Sequence, residues 1–189
     1  MTAARDQVRI IGGTWRGRRV GFVPAGVRPT PDRVRETLFN WLAPRLPGAR
    51  VLDLCAGSGV LGFEALSRGA AGAVLVEHDR AQAARLRAEA TRLGAAAAQV
   101  CGADARAAVR ALAGTGATFD VAFIDPPYAS GLAAVLMHDL DGAGVLAPAA
   151  CVYLETPARE PVPVPPGWQV HRSGRAGEVG YHLLTRART

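Results

Sequence analysis

The chain has 189 residues, 49% of them hydrophobic, and its mean hydropathy is +0.12. This length suits one domain with a full core, and the composition excludes a disordered chain. No segment has the apolar length that spans a bilayer or the apolar core of a signal peptide, so we expect a cytoplasmic protein without a membrane partner. Its cysteines, Cys55, Cys101 and Cys151, form no CxxC pair, so neither disulfides nor a metal site is expected.

The positive charge is concentrated near the N-terminus. All 22 basic residues are arginine. Residues 1–50 contain ten arginines and three acidic residues, a net charge of +7. Residues 51–189 contain twelve arginines and thirteen acidic residues, a net charge of −1. An arginine cluster beside a nearly neutral body indicates a surface that binds phosphate groups, as a nucleic acid would require.

Residues 8–20 predict a β-hairpin in which two apolar runs flank a Gly12-Gly13 turn. The basic and aromatic side chains of this hairpin could bind phosphates and stack on an unpaired base, and the alternative is a hairpin with one solvated basic face. The candidate RNA-binding residues are Arg9, Trp15, Arg16, Arg18 and Arg19. We expect residues 1–30 to form an Arg-rich β-hairpin extension and residues 31–189 to form the main domain.

Residues 32–42 predict a helix with Asp32 at its N-cap, because an apolar stripe with helical spacing follows. After residue 50 short apolar strands alternate with helices, which predicts an α/β fold with a mostly parallel sheet and helices on both faces. The predicted strands are 51–54, 73–76, one ending near 100, 119–124 and 151–155, and the predicted helices are 60–68, 80–93, 104–113 and 131–143. Segments 168–171 and 181–184 predict an antiparallel pair at one sheet edge, around a loop over 173–180.

The turn after the first of these strands is rich in glycine. Gly57, Gly59 and Gly62 have the GxGxxG spacing of dinucleotide sites, which alone is a weak signal. Asp53, at the end of the strand, discriminates between possible ligands, because a carboxylate repels a pyrophosphate but can bind an ammonium group. S-adenosylmethionine has an amino group, a sulfonium and no phosphate, so this site suits it better than NAD.

Further carboxylates follow the next two strands. Glu77 is placed to hold ribose hydroxyls, and Asp104 could accept from an adenine amino group, with the Ala105 N–H nearby. Singly, each acid could instead be a helix N-cap or a solvated turn residue. Glu64 and Asp79 are predicted to lie on the surface. The candidate cofactor residues of these loops are Asp53, Cys55, Ala56, Gly57, Ser58, Gly59, Glu77, His78, Asp104 and Ala105.

Cys55 has two possible roles inside the glycine-rich turn. A thiolate nucleophile would need a partnered base, and His78 is the candidate within sequence reach of the sheet edge. A small apolar filler requires no partner. The pattern therefore favours a filler.

Asp125, Pro126, Pro127 and Tyr128 follow the apolar run 121–124 and are the candidate catalytic residues. Both prolines have a fixed φ, so their carbonyl groups are held in place. A carboxylate, a fixed carbonyl and an aromatic face suit a flat ring with an exocyclic amine, which describes a nucleobase. The alternative is that the prolines simply end the strand and Tyr128 covers the core.

Together these motifs resemble class I, Rossmann-like methyltransferases that act on exocyclic amines. More closely, residues 9–19, 28–42 and 174–181 resemble the RsmD-type family, whose members methylate a guanine N2 in small-subunit ribosomal RNA. The resemblance covers about residues 8 to 184. One departure is small, since the family often has a different small residue at the position of Gly13.

The resemblance implies a seven-stranded, mostly parallel sheet with an added N-terminal hairpin, S-adenosylmethionine as cofactor, and 16S ribosomal RNA as partner, free or within the 30S subunit. We also expect a monomer. Segment 28–36 would fold over the cofactor, which adds Arg28, Thr30 and Arg33 to the cofactor-binding candidates. Asp-Pro-Pro-Tyr also occurs in adenine-N6 and cytosine-N4 methyltransferases, so this motif does not select guanine. An adenine-N6 methyltransferase of DNA or RNA and a non-catalytic RNA-binding module remain alternatives.

Overall fold

A computed structural model describes residues 6–24, 29–127 and 131–187. The strands are β1 Gln7–Arg9, β2 Arg19–Gly21, β3 Arg50–Asp53, β4 Gly72–Val76, β5 Ala98–Cys101, β6 Phe119–Ile124, β7 Leu146–Pro157, β8 Trp168–Ala176 and β9 Val179–Arg186. The helices are α1 Asp32–Leu42, α2 Val60–Ser67, α3 Arg80–Leu93, α4 Ala105–Ala113 and α5 Leu132–Gly142. Strands and helices alternate from β3 to β7, as the apolar pattern predicts.

The main sheet has seven strands in the order β5-β4-β3-β6-β7-β9-β8. Strands β3 to β7 pair in parallel, whereas β9 is antiparallel to both β7 and β8. The strand order reverses between β3 and β6, and in open α/β sheets ligands bind at the carboxyl ends of the strands beside such a reversal. The predicted α/β fold, with its antiparallel pair at one edge, is confirmed.

Helices cover both faces of this sheet. Apolar side chains of α1, α2 and α3 pack in one buried cluster with alternate strand residues such as Val51 and Phe123. Those of α4 and α5 pack in a second cluster with the intervening residues, such as Leu52 and Ile124. Neighbouring residues of a strand point to opposite faces of the sheet. Alternate residues of each strand therefore face α1 to α3, and the residues between them face α4 and α5.

The N-terminal hairpin exists, but its predicted Gly-Gly turn is wrong. Strands β1 and β2 pair antiparallel with Val8 opposite Val20, and residues 10–18 form a longer connection. Gly12 and Gly13 instead pack against the end of α2, where a Cβ at Gly13 would overlap the Ser67 carbonyl group. Val8 and Val20 belong to the same buried cluster as α1, and the proposed boundary near residue 30 stays a prediction.

Three other local predictions need correction. Asp32 is the first residue of α1 and Pro31 is its N-cap; the Asp32 carboxylate bonds to Arg35 instead of capping the helix. Residues 173–176 and 179–180 belong to β8 and β9, because Gly174 lies opposite Tyr181 and leaves room for its ring. Strand β7 is also longer than residues 151–155, since pairing with β9 extends it to Pro157.

Glu64 is fully buried, so its predicted surface position is wrong, whereas Asp79 is exposed as predicted. The Glu64 carboxylate bonds to the buried Arg35 at 2.5 Å and to Arg68 at 2.8 Å. Arg35 Nε also donates to the Thr30 carbonyl at 3.0 Å. An apolar environment tolerates these charges because they are paired. The network joins α1, α2 and the segment that precedes α1.

Two findings concern the described part of the chain. No helix there is both long and apolar enough to cross a membrane. Nor does that part contain a group of three or more histidine, cysteine, aspartate or glutamate side chains that could hold a metal ion.

Candidate active site

Four predicted carboxylates lie along one edge of the main sheet. Asp53 ends β3, Glu77 directly follows β4, Asp104 follows β5 after two residues, and Asp125 directly follows β6. Because these four strands are parallel, their carboxyl ends meet at the same edge. Strands β3 and β6 are neighbours at the reversal of strand order. The structure therefore brings the predicted cofactor residues and Asp125 to one site.

Asp53 is buried and incompletely hydrogen-bonded. Its Oδ2 accepts from the Gly62 N–H at 3.2 Å, whereas its Oδ1 has no hydrogen-bond partner among the described residues. Burial and the neighbouring Asp125 carboxylate raise the pKa of Asp53 to about 7. A buried acceptor without a donor is costly, so this oxygen calls for a ligand that can donate. An ammonium group meets that requirement.

The glycines after β3 make room for close packing. Gly59 precedes α2 with a left-handed backbone (φ 74°), and a Cβ there would come within 2.5 Å of the Leu86 side chain. A Cβ at Gly62 would come within 3.0 Å of Leu75. These glycines therefore draw α2 and its preceding turn down onto α3 and β4. Ala56, Gly57 and Ser58 lie between Asp53 and Gly59 in this turn.

Glu77 holds two loops together through its carboxylate. It accepts from the Gly57 N–H and the Asp79 N–H, each at 2.9 Å, and the exposed His78 Nδ1 lies 3.1 Å from Glu77 Oε1. Gln82, which has no local sequence signal, links the same turn to the segment after β2. Its Nε2 donates to the Gly57 carbonyl at 2.5 Å, and its Oε1 accepts from the Val23 N–H at 2.7 Å.

Asp104 is the N-cap of α4, where its Oδ1 accepts from the Ala107 N–H at 3.1 Å. The side chain is exposed and Ala105 is half-buried. One carboxylate oxygen thus orders the helix terminus. Its position beyond β5 also leaves the carboxylate at the outer end of the row of acids.

Cys55 lies beside these acids. Burial raises the pKa of its thiol, and the surrounding carboxylates, Asp53 first among them, raise it further. The thiol therefore stays protonated, which opposes a nucleophilic role. This agrees with the interpretation of Cys55 as a small filler of the turn.

Asp125 meets residues from two other segments. Thr30 Oγ1 donates to Asp125 Oδ2 at 3.1 Å, and Glu155 of β7 lies beside Asp125, because Ile124 and Leu154 are register partners. Asp125, Pro126, Pro127 and Glu155 line a cavity of about 290 Å³ beside the start of α5. Tyr128 lies outside the described residues. The cavity therefore provides two adjacent carboxyl groups next to the prolines.

Arg9, Arg16, Arg19 and Arg33 are not among the residues that line this cavity. Arg33 is exposed on α1, and Arg28 lies outside the described residues. Arg9 forms an ion pair with Asp32 at 2.9 Å. Arg16 and Arg19 are exposed, and their guanidinium groups have no hydrogen bond or ion pair within the described segments.

Trp15 and Arg18 are the other two candidates of the hairpin. Trp15 packs against the buried cluster of α1 and its backbone N–H donates to Ser67 Oγ, so its ring is partly structural. Arg18 is exposed and its guanidinium donates to the Leu93 carbonyl at 3.4 Å, a long bond. The hairpin therefore combines anchored residues with free arginines.

Comparison with known proteins places the chain in a family. A family profile described as conserved hypothetical protein 95 matches residues 8–185. The chain is 46% identical over 182 residues to ribosomal RNA small subunit methyltransferase D of Escherichia coli (strain K12), covering 95% of this chain and 90% of that protein. The chain belongs to this RsmD-type family.

Other members support the assignment. The chain is 38% identical over 183 residues to ribosomal RNA small subunit methyltransferase D of Haemophilus influenzae, covering 95% of this chain and 94% of that protein. The solved structure of yhhF from Escherichia coli, described as a methyltransferase, has a TM-score of 0.86 and 45% identity, covering 97% of this chain and 99% of that one. The RsmD-type resemblance of the motifs is thus confirmed.

Proposed function

We propose that this protein transfers a methyl group from S-adenosylmethionine to the exocyclic N2 amine of a guanine in small-subunit (16S) ribosomal RNA. The supporting observation is the adjacency of two acids: Asp53 and Asp125 stand at the ends of neighbouring parallel strands, where the strand order reverses. One acid suits a cationic methyl donor and the other suits an amine. The names of the RsmD-type relatives agree with this substrate class.

The residues present fit S-adenosylmethionine. The unpartnered Oδ1 of Asp53 would accept from its α-ammonium group, and Glu77 would hold the ribose hydroxyls. Asp104 and Ala105 would contact the adenine, and Arg28, Thr30 and Arg33 belong to the segment proposed to cover the cofactor. When bound, this cofactor supplies an electrophilic methyl group on a sulfonium.

The residues after β6 would prepare the amine. The lone pair of a guanine N2 is delocalised into the ring, so the amine is a poor nucleophile. Hydrogen bonds from N2–H to the Asp125 carboxylate and the Pro126 carbonyl localise this lone pair and orient it, while Pro127 and Tyr128 limit the position of the ring. Orientation of this kind lowers a barrier by several kcal/mol, and Asp125 also stabilises positive charge that develops on N2.

The target base has to leave its helix to reach the cavity. The exposed arginines of the hairpin would bind the flanking phosphates, with Trp15 beside them. We also propose that the enzyme acts as a cytoplasmic monomer and that its RNA is presented free or within the 30S subunit.

Mapping of methylated nucleotides in ribosomal RNA tests this function. Cells that lack the gene should lose one N2-methylguanosine from 16S RNA, and the wild-type gene should restore it. Asp125→Asn should not restore it, although the purified variant should still bind S-adenosylmethionine in calorimetry. Loss of a methylated adenine instead, or of no nucleotide, would contradict the proposal.

A further inference from the structure

Glu155 lies beside Asp125 on the neighbouring parallel strand. Ile124 of β6 is in register with Leu154 of β7, so the next residues, Asp125 and Glu155, are adjacent and point to the same face of the sheet. The two carboxyl groups are close enough for the Asp125 charge to raise the pKa of Glu155, and both line the cavity next to the prolines. Both residues remain partly exposed, so a ligand in the cavity can reach them.

The groups around Glu155 are acidic or phenolic. The Tyr153 hydroxyl donates to Glu155 Oε1 at 2.6 Å, and Tyr181 is the register partner of Glu155 on β9. Asp125 faces it from β6, with Asp53 beyond, and no ion pair involves Glu155 within the described residues. Burial first, and then the Asp125 charge, raise the pKa of Glu155 to about 8, while burial raises that of Asp125 to about 6. Near neutral pH the pair therefore shares one proton.

Nucleobases differ at the position next to the amine. Guanine has the N1–H donor beside its N2 amine, so this edge presents two neighbouring donors. Adenine has the N1 acceptor beside its N6 amine, and cytosine has the N3 acceptor beside its N4 amine. Two adjacent carboxylates therefore match guanine, because a carboxylate is an acceptor without a donor.

We propose that Glu155 accepts the guanine N1–H while Asp125 accepts the N2 amine, so that the pair of carboxyl groups selects guanine. This rests on the proposed function and adds the residue that determines base specificity. It accounts for a choice that the Asp-Pro-Pro-Tyr motif leaves open.

The shared proton has a defined fate in this arrangement. A protonated Glu155 donates to Asp125 in the free protein, and a neutral carboxyl group is a weaker acceptor for N1–H than a carboxylate. Guanine binding is therefore stronger when Glu155 has released this proton to solvent. For guanine, kcat/KM should rise with pH until Glu155 is ionised.

The experiment compares two bases at one position. Small-subunit ribosomal RNA is assembled by ligation so that the mapped target is guanine or 2-aminopurine, and it is presented both free and in reconstituted subunits. 2-Aminopurine keeps the amine but has an acceptor at N1. Wild type should prefer guanine by about 30-fold in kcat/KM, because a buried acceptor is left without its donor.

Glu155→Gln supplies an amide that can turn to donate or to accept. This variant should methylate both RNAs with kcat/KM values within about fivefold of each other, and its guanine profile should lack the step near pH 8 that belongs to Glu155. Glu160→Gln is the matched control, since Glu160 is exposed and lines the same cavity. The control should keep the wild-type preference.

A Glu155→Gln preference within threefold of wild type, with an unchanged pH profile, would overturn the proposal. If this variant transfers too slowly to measure, equilibrium binding of the two RNAs gives the same comparison, and an unchanged binding ratio overturns it equally. Absence of guanine methylation by wild type would instead contradict the proposed function, so the two failures are distinguishable.

Discussion

Thr30 Oγ1 donates a hydrogen bond of 3.1 Å to Asp125 Oδ2. The two residues are 95 positions apart in the sequence, and the buried Arg35 fixes the Thr30 carbonyl from the other side. The segment before α1 is therefore attached directly to the proposed catalytic carboxylate. Its contribution to the site is a hydrogen-bond donor.

Thr30→Val should shift the activity profile toward higher pH. Burial raises the pKa of Asp125, and the Thr30 hydroxyl opposes that rise by stabilising the ionised form. Without this donor the pKa of Asp125 rises further, so the lower of the two acidic steps in kcat/KM, below the step of Glu155, should move up by about one pH unit. Thr37→Val is the control, since the Thr37 hydroxyl donates to the Arg33 carbonyl of its own helix and to no other group in the described part of the chain. Equal profiles for both variants would refute a role for Thr30.

Asp53→Asn should change how stability depends on pH. The pKa of Asp53 is about 7 in the folded protein against 3.8 as the ordinary value, so the folded state binds the extra proton between these values. Stability of the cofactor-free protein should therefore fall as pH rises from about 4 to 7. Asn cannot ionise, so the variant should be more stable than wild type at pH 8, on the order of a few kcal/mol, and nearly equal at pH 4.

Urea unfolding at the two pH values measures this difference. Glu36→Gln, a change at an exposed carboxyl group of α1, should leave the dependence intact. The Asp53 variant should also bind S-adenosylmethionine more weakly in calorimetry. A variant that binds as tightly as wild type would separate Asp53 from the cofactor.

Glu64→Gln should destabilise the fold strongly. Glu64 and Arg35 are both fully buried, and neutralising Glu64 leaves the buried Arg35 guanidinium with only the exposed Asp32 carboxylate as its counter-charge. The expected loss is about 3–5 kcal/mol. Asp139→Asn breaks the more exposed pair with Arg106 and should cost less than about 1 kcal/mol. Similar losses for the two variants in urea unfolding would show that burial of the first pair is unimportant.

Gly13→Ala should destabilise the protein more than Gly17→Ala. Both glycines have a positive φ, 76° and 85°, so each alanine is strained to a similar degree. A Cβ at Gly13 would also overlap the Ser67 carbonyl group, whereas a Cβ at Gly17 would meet nothing within 4 Å. The difference in unfolding free energy should be about 1–3 kcal/mol. Equal effects would mean that the close approach to α2 is relaxed easily.

Arg16→Glu combined with Arg19→Glu should weaken RNA binding and reduce its salt dependence. Each lost phosphate contact lowers the slope of log affinity against log salt by about one. Cofactor affinity should not change. Arg110→Glu on α4 is the control, because α4 packs on the opposite face of the sheet from α1 to α3. Equal losses of RNA affinity in the control would indicate a general charge effect.

Much of the fold follows from local patterns. The helices at 32–42 and 80–93 have the predicted bounds, since their apolar spacing and flanking residues are strong local signals. The register of β8 and β9 could not be predicted, because it depends on the fit of the Tyr181 ring over Gly174. The role of Gly12-Gly13 depends likewise on the distant end of α2.

The row of acids at the sheet edge follows from the strand-end pattern, but other site residues do not. Glu155 also follows the buried part of a parallel strand, so the same pattern could have identified it. Gln82 and Arg35 could not be found in this way. The two partners of Gln82 lie 25 and 59 residues away in the sequence, and Glu64, the buried partner of Arg35, lies 29 residues away. Long-range pairing of polar side chains has no local sequence signal.

Gln82 links the glycine-rich turn after β3 to the segment after β2, so that these two segments are coupled. Its amide satisfies the Gly57 carbonyl and the Val23 N–H in a single orientation, so displacement of either segment breaks or strains both bonds. If RNA and cofactor each shift both segments on binding, then each ligand changes the affinity of the other by the same factor. Titration of each ligand in the presence and absence of the other measures that factor. A preferred order of substrate binding can therefore arise from one glutamine.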